Sequence, residues 1–149
     1  MSEEHQKPLI GAYLLLFKDN QILLQKRKSG RLAGQYSLVA GHTEQVEDVI
    51  HAIQREAKEE SNLLLDEKDL EVRVVVQRPD ALYKQETADI IDFFIYADKY
   101  QGNLANNEPD KCSELKFFPI NQLPDNILPH VKHVIETFFE NKHCMIECG

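Results

Sequence analysis

The chain lacks several things that would have placed it elsewhere. No window holds the roughly 18 consecutive apolar residues of a membrane-spanning helix, and the opening Met1-Ser2-Glu3-Glu4-His5-Gln6-Lys7 has neither the basic nor the apolar region of a secretory signal. No membrane partner is implied, and the expected location is the cytoplasm. Cysteine is scarce and odd in number, with only Cys112, Cys144 and Cys148. An odd count without a secretory signal speaks against a disulfide framework and for reduced thiols. His143, Cys144 and Cys148 lack standard zinc spacing and an apparent fourth ligand, so the C-terminal stretch is expected to be a frayed tail. Positive charge is also short: 17 Lys and Arg face 25 Asp and Glu, a formal net charge of −8. A non-specific grip on a nucleic-acid backbone is therefore not expected. There is no internal repeat, low-complexity tract or linker.

What remains is a chain of 149 residues, 42% hydrophobic and 28% charged, the composition of one ordinary core with a solvated surface. One domain over 1–149 is expected, with its core at about 8–140 and flexible ends. Leu9 to Phe17 and Gln21 to Gln25, separated by Lys18-Asp19-Asn20, predict a β-hairpin. Gln35 to Ala40 predicts a third strand. Leu70 to Gln77, stopped by Pro79, predicts another. Ile90 to Ala97 reads as a strand covered on both faces, interrupted by Asp92. A polar loop from Gln101 to Ser113 leads to a short strand, Leu115 to Pro119, and a closing helix from Pro129 to Phe139 with Val131, Ile135 and Phe138 inward. Together these give one mixed α/β unit.

The informative stretch is 41–63. Val49, Ile50, Ile53, Ala57 and Leu64 recur at helical spacing, and at roughly 100° per residue Glu60 falls on the side of Ile53 and Ala57, Glu56 at the edge of that stripe and Glu59 next along. Solvated charge would avoid that face. Glu56 lies three and four residues before Glu59 and Glu60, and like charges so spaced cost roughly 0.2–0.5 kcal/mol per pair. All three also sit in the last turns, where the helix dipole disfavours anions. A hard divalent cation would reverse each penalty; the competing reading is a solvated acidic face neutralised by Arg55 and Lys58.

The spacing resembles the signature of the Nudix hydrolases: Gly41, five residues, Glu47, seven residues, Arg55-Glu56, Ala57, then Glu59-Glu60 and Leu63. The one departure is Asn62 where the pattern has glycine, and Asn is the usual second choice for a left-handed helix end. The stretch from Glu108 to Ile120, followed by Leu123-Pro124, resembles a segment of small bacterial, MutT-like members. The resemblance implies an α/β/α sandwich around a mixed β-sheet, with the signature as a loop-helix-loop. It also implies hydrolysis of a nucleoside diphosphate linked to another moiety, by attack of a metal-activated water on phosphorus, with Mg²⁺ or Mn²⁺ as cofactor.

Carried over by position, Glu56, Glu59, Glu60 and Arg55 form the implied catalytic set. Glu59 and Glu60 are the leading metal ligands, joined by Glu56 and the Gly41 carbonyl. Arg55 is expected to orient the carboxylates and neutralise them when metal is absent. Glu47 is expected to support them as an acidic group in the first helical turn. For the general base the loop offers Glu108, Asp110 and Glu114, each of which also reads as an ordinary solvated acid; Glu114, at the edge of the last strand, ranks below Glu108. Within the basic cluster Lys26, Arg27, Lys28 and Arg31, strand alternation sets Arg27 apart as the candidate phosphate contact, against a solvated hairpin end. No substrate role is assigned to His42, Tyr83, Phe93, Phe94 or Tyr96, and Tyr83 to Thr87 and Gly102 to Asp110 are the loops expected to set specificity. The expected partner is a small phosphorylated nucleotide: a nucleoside triphosphate, a modified nucleotide or a nucleotide sugar. A homodimer is left open. The two alternatives are a catalytically silent nucleotide sensor, which would commonly have lost signature carboxylates, and an RNA 5′-end pyrophosphohydrolase, which needs a basic track.

Overall fold

Strand β1 (Leu9–Lys18) carries apolar residues on both of its faces. Ala12, Leu14 and Leu16 enter one core while Leu15 and Phe17 enter a second, so the strand must lie between two layers. The computed structural model, which describes residues 7–79, 89–140 and 144–147, supplies them. Helix α1 (Val49–Ser61) covers one face through Ala52, Ile53 and Ala57. Helix α2 (Pro129–Glu140) covers the other through Val131, Val134, Ile135 and Phe138. The result is the α/β/α sandwich that the sequence implies.

The first turn follows from its residues. Asp19 and Asn20 sit at φ 51° and 61°, the left-handed pair of a primed two-residue turn that matches strand twist, and β2 (Gln21–Arg27) follows it. The hairpin is paired only at its tip, Phe17 with Ile22 and Lys18 with Gln21. Beyond the tip, β2 pairs antiparallel with β7 (Cys112–Pro119), while β1 runs parallel to β6 (Asp89–Ala97), Leu9 opposite Ile90 through Leu16 opposite Ala97. On the far side of β6 lies β5 (Glu71–Pro79), antiparallel to it. This splaying of β1 from β2 opens one end of the sheet beside α1.

Three expectations are corrected. The stretch 35–40 is two short strands, β3 (Tyr36–Ser37) on β2 and β4 (Ala40–His42) on β1. Between them the chain crosses the splay, and Leu38 and Val39 bury on opposite faces of the sheet, so no one strand could serve both partners. The last strand of the loop region begins at Cys112, not Leu115. The C-terminal stretch is not wholly a frayed tail, since Cys144–Glu147 forms β8, parallel to β5 from Val74 to Gln77. His143 and Cys148 lie outside the described residues. Among the described residues no helix is long and apolar enough to cross a membrane.

Asp92 interrupts β6 for a physical reason. Its side chain is 1% exposed and accepts a 2.9 Å hydrogen bond from Nε of Arg78 on β5. Opposite it in the ladder is Gly11, where any Cβ would collide with the Asp92 carboxylate. Removing one member of a buried pair strands the other charge. Arg78→Met is therefore expected to lower unfolding stability by roughly 3 kcal/mol in urea titration, and the double change Arg78→Met with Asp92→Leu to recover most of the loss.

Candidate active site

Helix α1 starts at its cap. The Asp48 side chain accepts the His51 N–H at 2.8 Å, so the helix begins at Val49 and Glu47 lies before the cap, outside the first turn where the sequence reading places it. Val46 precedes it at φ 61° and is 99% exposed, an uncommon conformation for a β-branched residue. The other end behaves as expected. Asn62 is left-handed at φ 63°, with Asn62 N–H on Lys58 and Leu63 N–H on Ala57 closing the last turn.

Arg55 gathers the acids of the signature. Its Nε and Nη2 make a two-point contact with Glu47, each at 2.9 Å. Its Nη1 lies 2.7 Å from Glu56 and 3.4 Å from Glu59, and Nη2 donates to the His42 carbonyl at 3.2 Å. The guanidinium hydrogen bonds hold the Glu47 carboxyl down at about 2, and Glu47 in turn raises Arg55. Glu47 thus serves the helix as a partner of Arg55, joining the 41–48 loop to the middle of α1.

Glu56 and Glu60 occupy a different environment. Gly41 of β4 lies so close over Glu56 that a Cβ would strike its carboxyl group. Burial raises the Glu56 carboxyl despite Arg55. Glu60 is pushed up to about 8, first by burial and then by the charges of Glu56 and Glu108, although Ala40 N–H donates to it at 3.2 Å. Glu59 stays at the solvent edge, 52% exposed. Among the described residues no three acids, histidines or cysteines form a ready-made cation cage; Arg55 draws Glu56 and Glu59 towards itself, and Glu60 turns in to Ala40. The donor set nevertheless fits a hard divalent ion: carboxylate oxygens, one of them kept protonated near neutral pH by burial and by the neighbouring carboxylates.

Glu60 opens onto a cavity of about 530 Å³ whose lining includes Gly41, His42, Glu108, Arg27 and Lys111. Tyr13, Arg78 and His130 line the same cavity, with apolar Leu32, Leu38, Ile90 and Leu128. His130 is lowered to about 4 by burial and by Arg78, which makes it neutral, and its Nε2 has no hydrogen-bond partner among the described residues. Burial pushes Tyr13 up to about 12.

Of the other candidates, the structure brings Arg27 and Glu108 to this cavity and keeps Glu114 away from it. Glu114 accepts a 2.7 Å bond from the Tyr36 hydroxyl and pairs with Lys116 at 2.6 Å. Asp110 is exposed outside the lining. Phe94 is buried and stacked on Tyr13 at 4.7 Å, and Tyr96 packs on Phe17 and Phe138. Tyr83 to Thr87 lie outside the described residues. Gln25, which donates to the Leu38 carbonyl at 2.9 Å and hydrogen-bonds Glu60, was not a candidate. Neither were Arg78 and His130, although a lone acid in the apolar β6 signals that a cation faces it.

The family model described as NUDIX domain matches residues 7–138. The ADP-ribose pyrophosphatase of Methanocaldococcus jannaschii is 33% identical over 136 residues, covering 91% of this chain and 76% of that protein. A MutT NUDIX hydrolase structure from Burkholderia pseudomallei superposes with a TM-score of 0.78 at 27% identity, covering 88% of this chain and 98% of that one. A bifunctional NMN adenylyltransferase/ADP ribose pyrophosphatase from Francisella tularensis, complexed with AMP and a Mn ion, shares the fold with a TM-score of 0.69 at 20% identity, over 93% of this chain and 43% of that one.

The raised Glu60 carboxyl sets a pH dependence. Its folded value of about 8 exceeds the ordinary 4.5, so the folded state binds the extra proton and the stability it contributes is lost as pH rises from about 5 to about 8. In EDTA the unfolding free energy is expected to fall over that window by on the order of 2 kcal/mol, and millimolar Mg²⁺ to stabilise more at pH 8 than at pH 6, measured by thermal melts. A Mg²⁺ shift that does not grow with pH would contradict a cation site built on Glu60.

Proposed function

The chain belongs to the NUDIX family and is a pyrophosphohydrolase, and from that premise we propose that it cleaves a nucleoside diphosphate linked to a second moiety, with Mg²⁺ or Mn²⁺ held by Glu56, Glu59, Glu60 and the Gly41 carbonyl. The observation that carries this reading is Glu60, a half-buried carboxyl crowded by Glu56 and Glu108 at the wall of a cavity that Arg27 and Lys111 also line. A carboxyl raised by burial and by neighbouring carboxylates is one that a bound cation would return to its charged form.

The ion, when bound, offsets phosphate charge and lowers the pKa of its water. The rest falls to side chains. Glu108 is the proposed general base: it takes a proton from the attacking water as the water oxygen bonds to phosphorus and the bridging P–O bond breaks. Arg27 and Lys111, the latter 3.6 Å from Glu108, balance the phosphate oxygens. Arg55 orients Glu56 and Glu59 through its hydrogen bonds. The leaving group then extends towards Arg78 and His130, and ADP-ribose is the first substrate to test, because a relative 33% identical over most of this chain is an ADP-ribose pyrophosphatase. A silent sensor is disfavoured by the retention of all three helix carboxylates, and an RNA-end activity by the net charge of −8.

The test is nucleoside monophosphate release, with and without Mg²⁺, across ADP-ribose, other nucleotide sugars, nucleoside triphosphates, dinucleoside polyphosphates and capped RNA. Glu59→Gln and Glu60→Gln are each expected to reduce kcat by about 10²–10³-fold on the preferred substrate. Intact turnover in both variants would refute the roles given to them, and silence on the whole panel would point to a sensor.

A further inference from the structure

The last turn of α1 ends in carbonyls that need donors, and the loop that bears Glu108 supplies them. Asn107 donates twice: its backbone N–H to the Glu60 carbonyl at 3.1 Å and its side-chain amide to the Lys58 carbonyl at 3.2 Å. Ala105 N–H reaches the Ser61 carbonyl at 3.0 Å. The carbonyls of 58 and 60 bracket Glu59 and include Glu60 itself, so the loop is fastened to the same turn that carries the proposed ligands. Asn106 secures the other side. Its side-chain oxygen accepts the Glu108 N–H at 3.1 Å and its amide donates to the Cys112 carbonyl at 2.7 Å, while the Glu108 carbonyl receives Lys111 and Cys112 N–H groups at 2.9 Å each.

We propose that Asn107 is a positioning residue that sets the reach of Glu108 towards the carboxylates of α1. The proposal rests on the reading of Glu108 as the group that takes the water proton. Asn107 is itself exposed and is absent from the cavity lining, so it acts through its neighbour. What the site requires of it is a hydrogen-bond donor. Asp in its place keeps the shape but sets a carboxylate against the Lys58 carbonyl, whereas Gln keeps the amide. A loop carboxylate released by even about 1 Å loses its alignment with the attacking water, an error that costs rate more than affinity.

The experiment measures Mg²⁺-dependent hydrolysis of ADP-ribose, or of the panel substrate turned over fastest if that is another. Asn107→Asp and Asn107→Leu are expected to lower kcat about tenfold with KM within about twofold, and Asn107→Gln to restore most of the rate. Thermal melts of each variant accompany the kinetics. A role confined to holding the fold would lower the melting temperature and leave kcat of the folded fraction unchanged, and that result overturns the proposal. The decisive comparison is Glu108→Gln alone and combined with Asn107→Asp. If Asn107 acts through Glu108, the second change costs nothing further; a loss that multiplies overturns the positioning role while leaving Glu108 as the base. If Glu108→Gln keeps full activity, the assignment of the base has failed, and this proposal with it.

Discussion

The carboxylates of Glu47, Glu56 and Glu59 share one guanidinium, that of Arg55. The rest of the site is arranged around that contact. Without it the last two turns of α1 would gather like charges at the end of the helix least suited to them. With it, the loop from Gly41 is drawn down through the His42 carbonyl, Glu47 is anchored before the cap, and Gly41 can lie close over Glu56. A lysine could not do this, since a point charge has no flat fork with which to bind Glu47 twice and still reach two other acids.

One cavity gathers unlike chemistries. Its lining joins Glu60 and Glu108 to two cations, Arg27 from β2 and Lys111 from the loop before β7. The same lining holds the neutral His130 and the Asp92-bound Arg78 among aliphatic side chains. The chain as a whole carries a charge of −8, so these few cations run against its overall field.

Helical phase alone placed Glu60 on the side of Ile53 and Ala57 and Glu56 at the edge of that stripe, because a regular 3.6-residue period leaves little freedom once the apolar face is known. The left-handed Asn62 was legible for a similar reason, few residues tolerating that conformation. Glu47 was placed one turn-position too far in, since Asp48 competes for the cap and wins it through His51. The division of 35–40 into two strands could not be read, because it depends on where β1 and β2 separate, a tertiary event. Gln25 and Asn107 were missed on the same ground, each meeting a partner distant in sequence. His130 was missed because an isolated imidazole carries no periodic signal.

The parallel pairing of β1 with β6, Leu9 against Ile90 onward, has a consequence in the time order of synthesis. All of α1 is made before the strand that completes the sheet beneath it, so Ala52, Ile53 and Ala57 emerge with only part of their final cover. Closing so long a loop adds little to the equilibrium cost, which grows only logarithmically with length, but it delays the rate-determining contacts. The loop bearing Glu108 follows later still. The residues of the acidic helix are therefore made before those that complete the site, and a nascent polypeptide stalled short of β6 would leave Ala52, Ile53 and Ala57 without their full cover, open to whatever chaperone or neighbouring chain it meets.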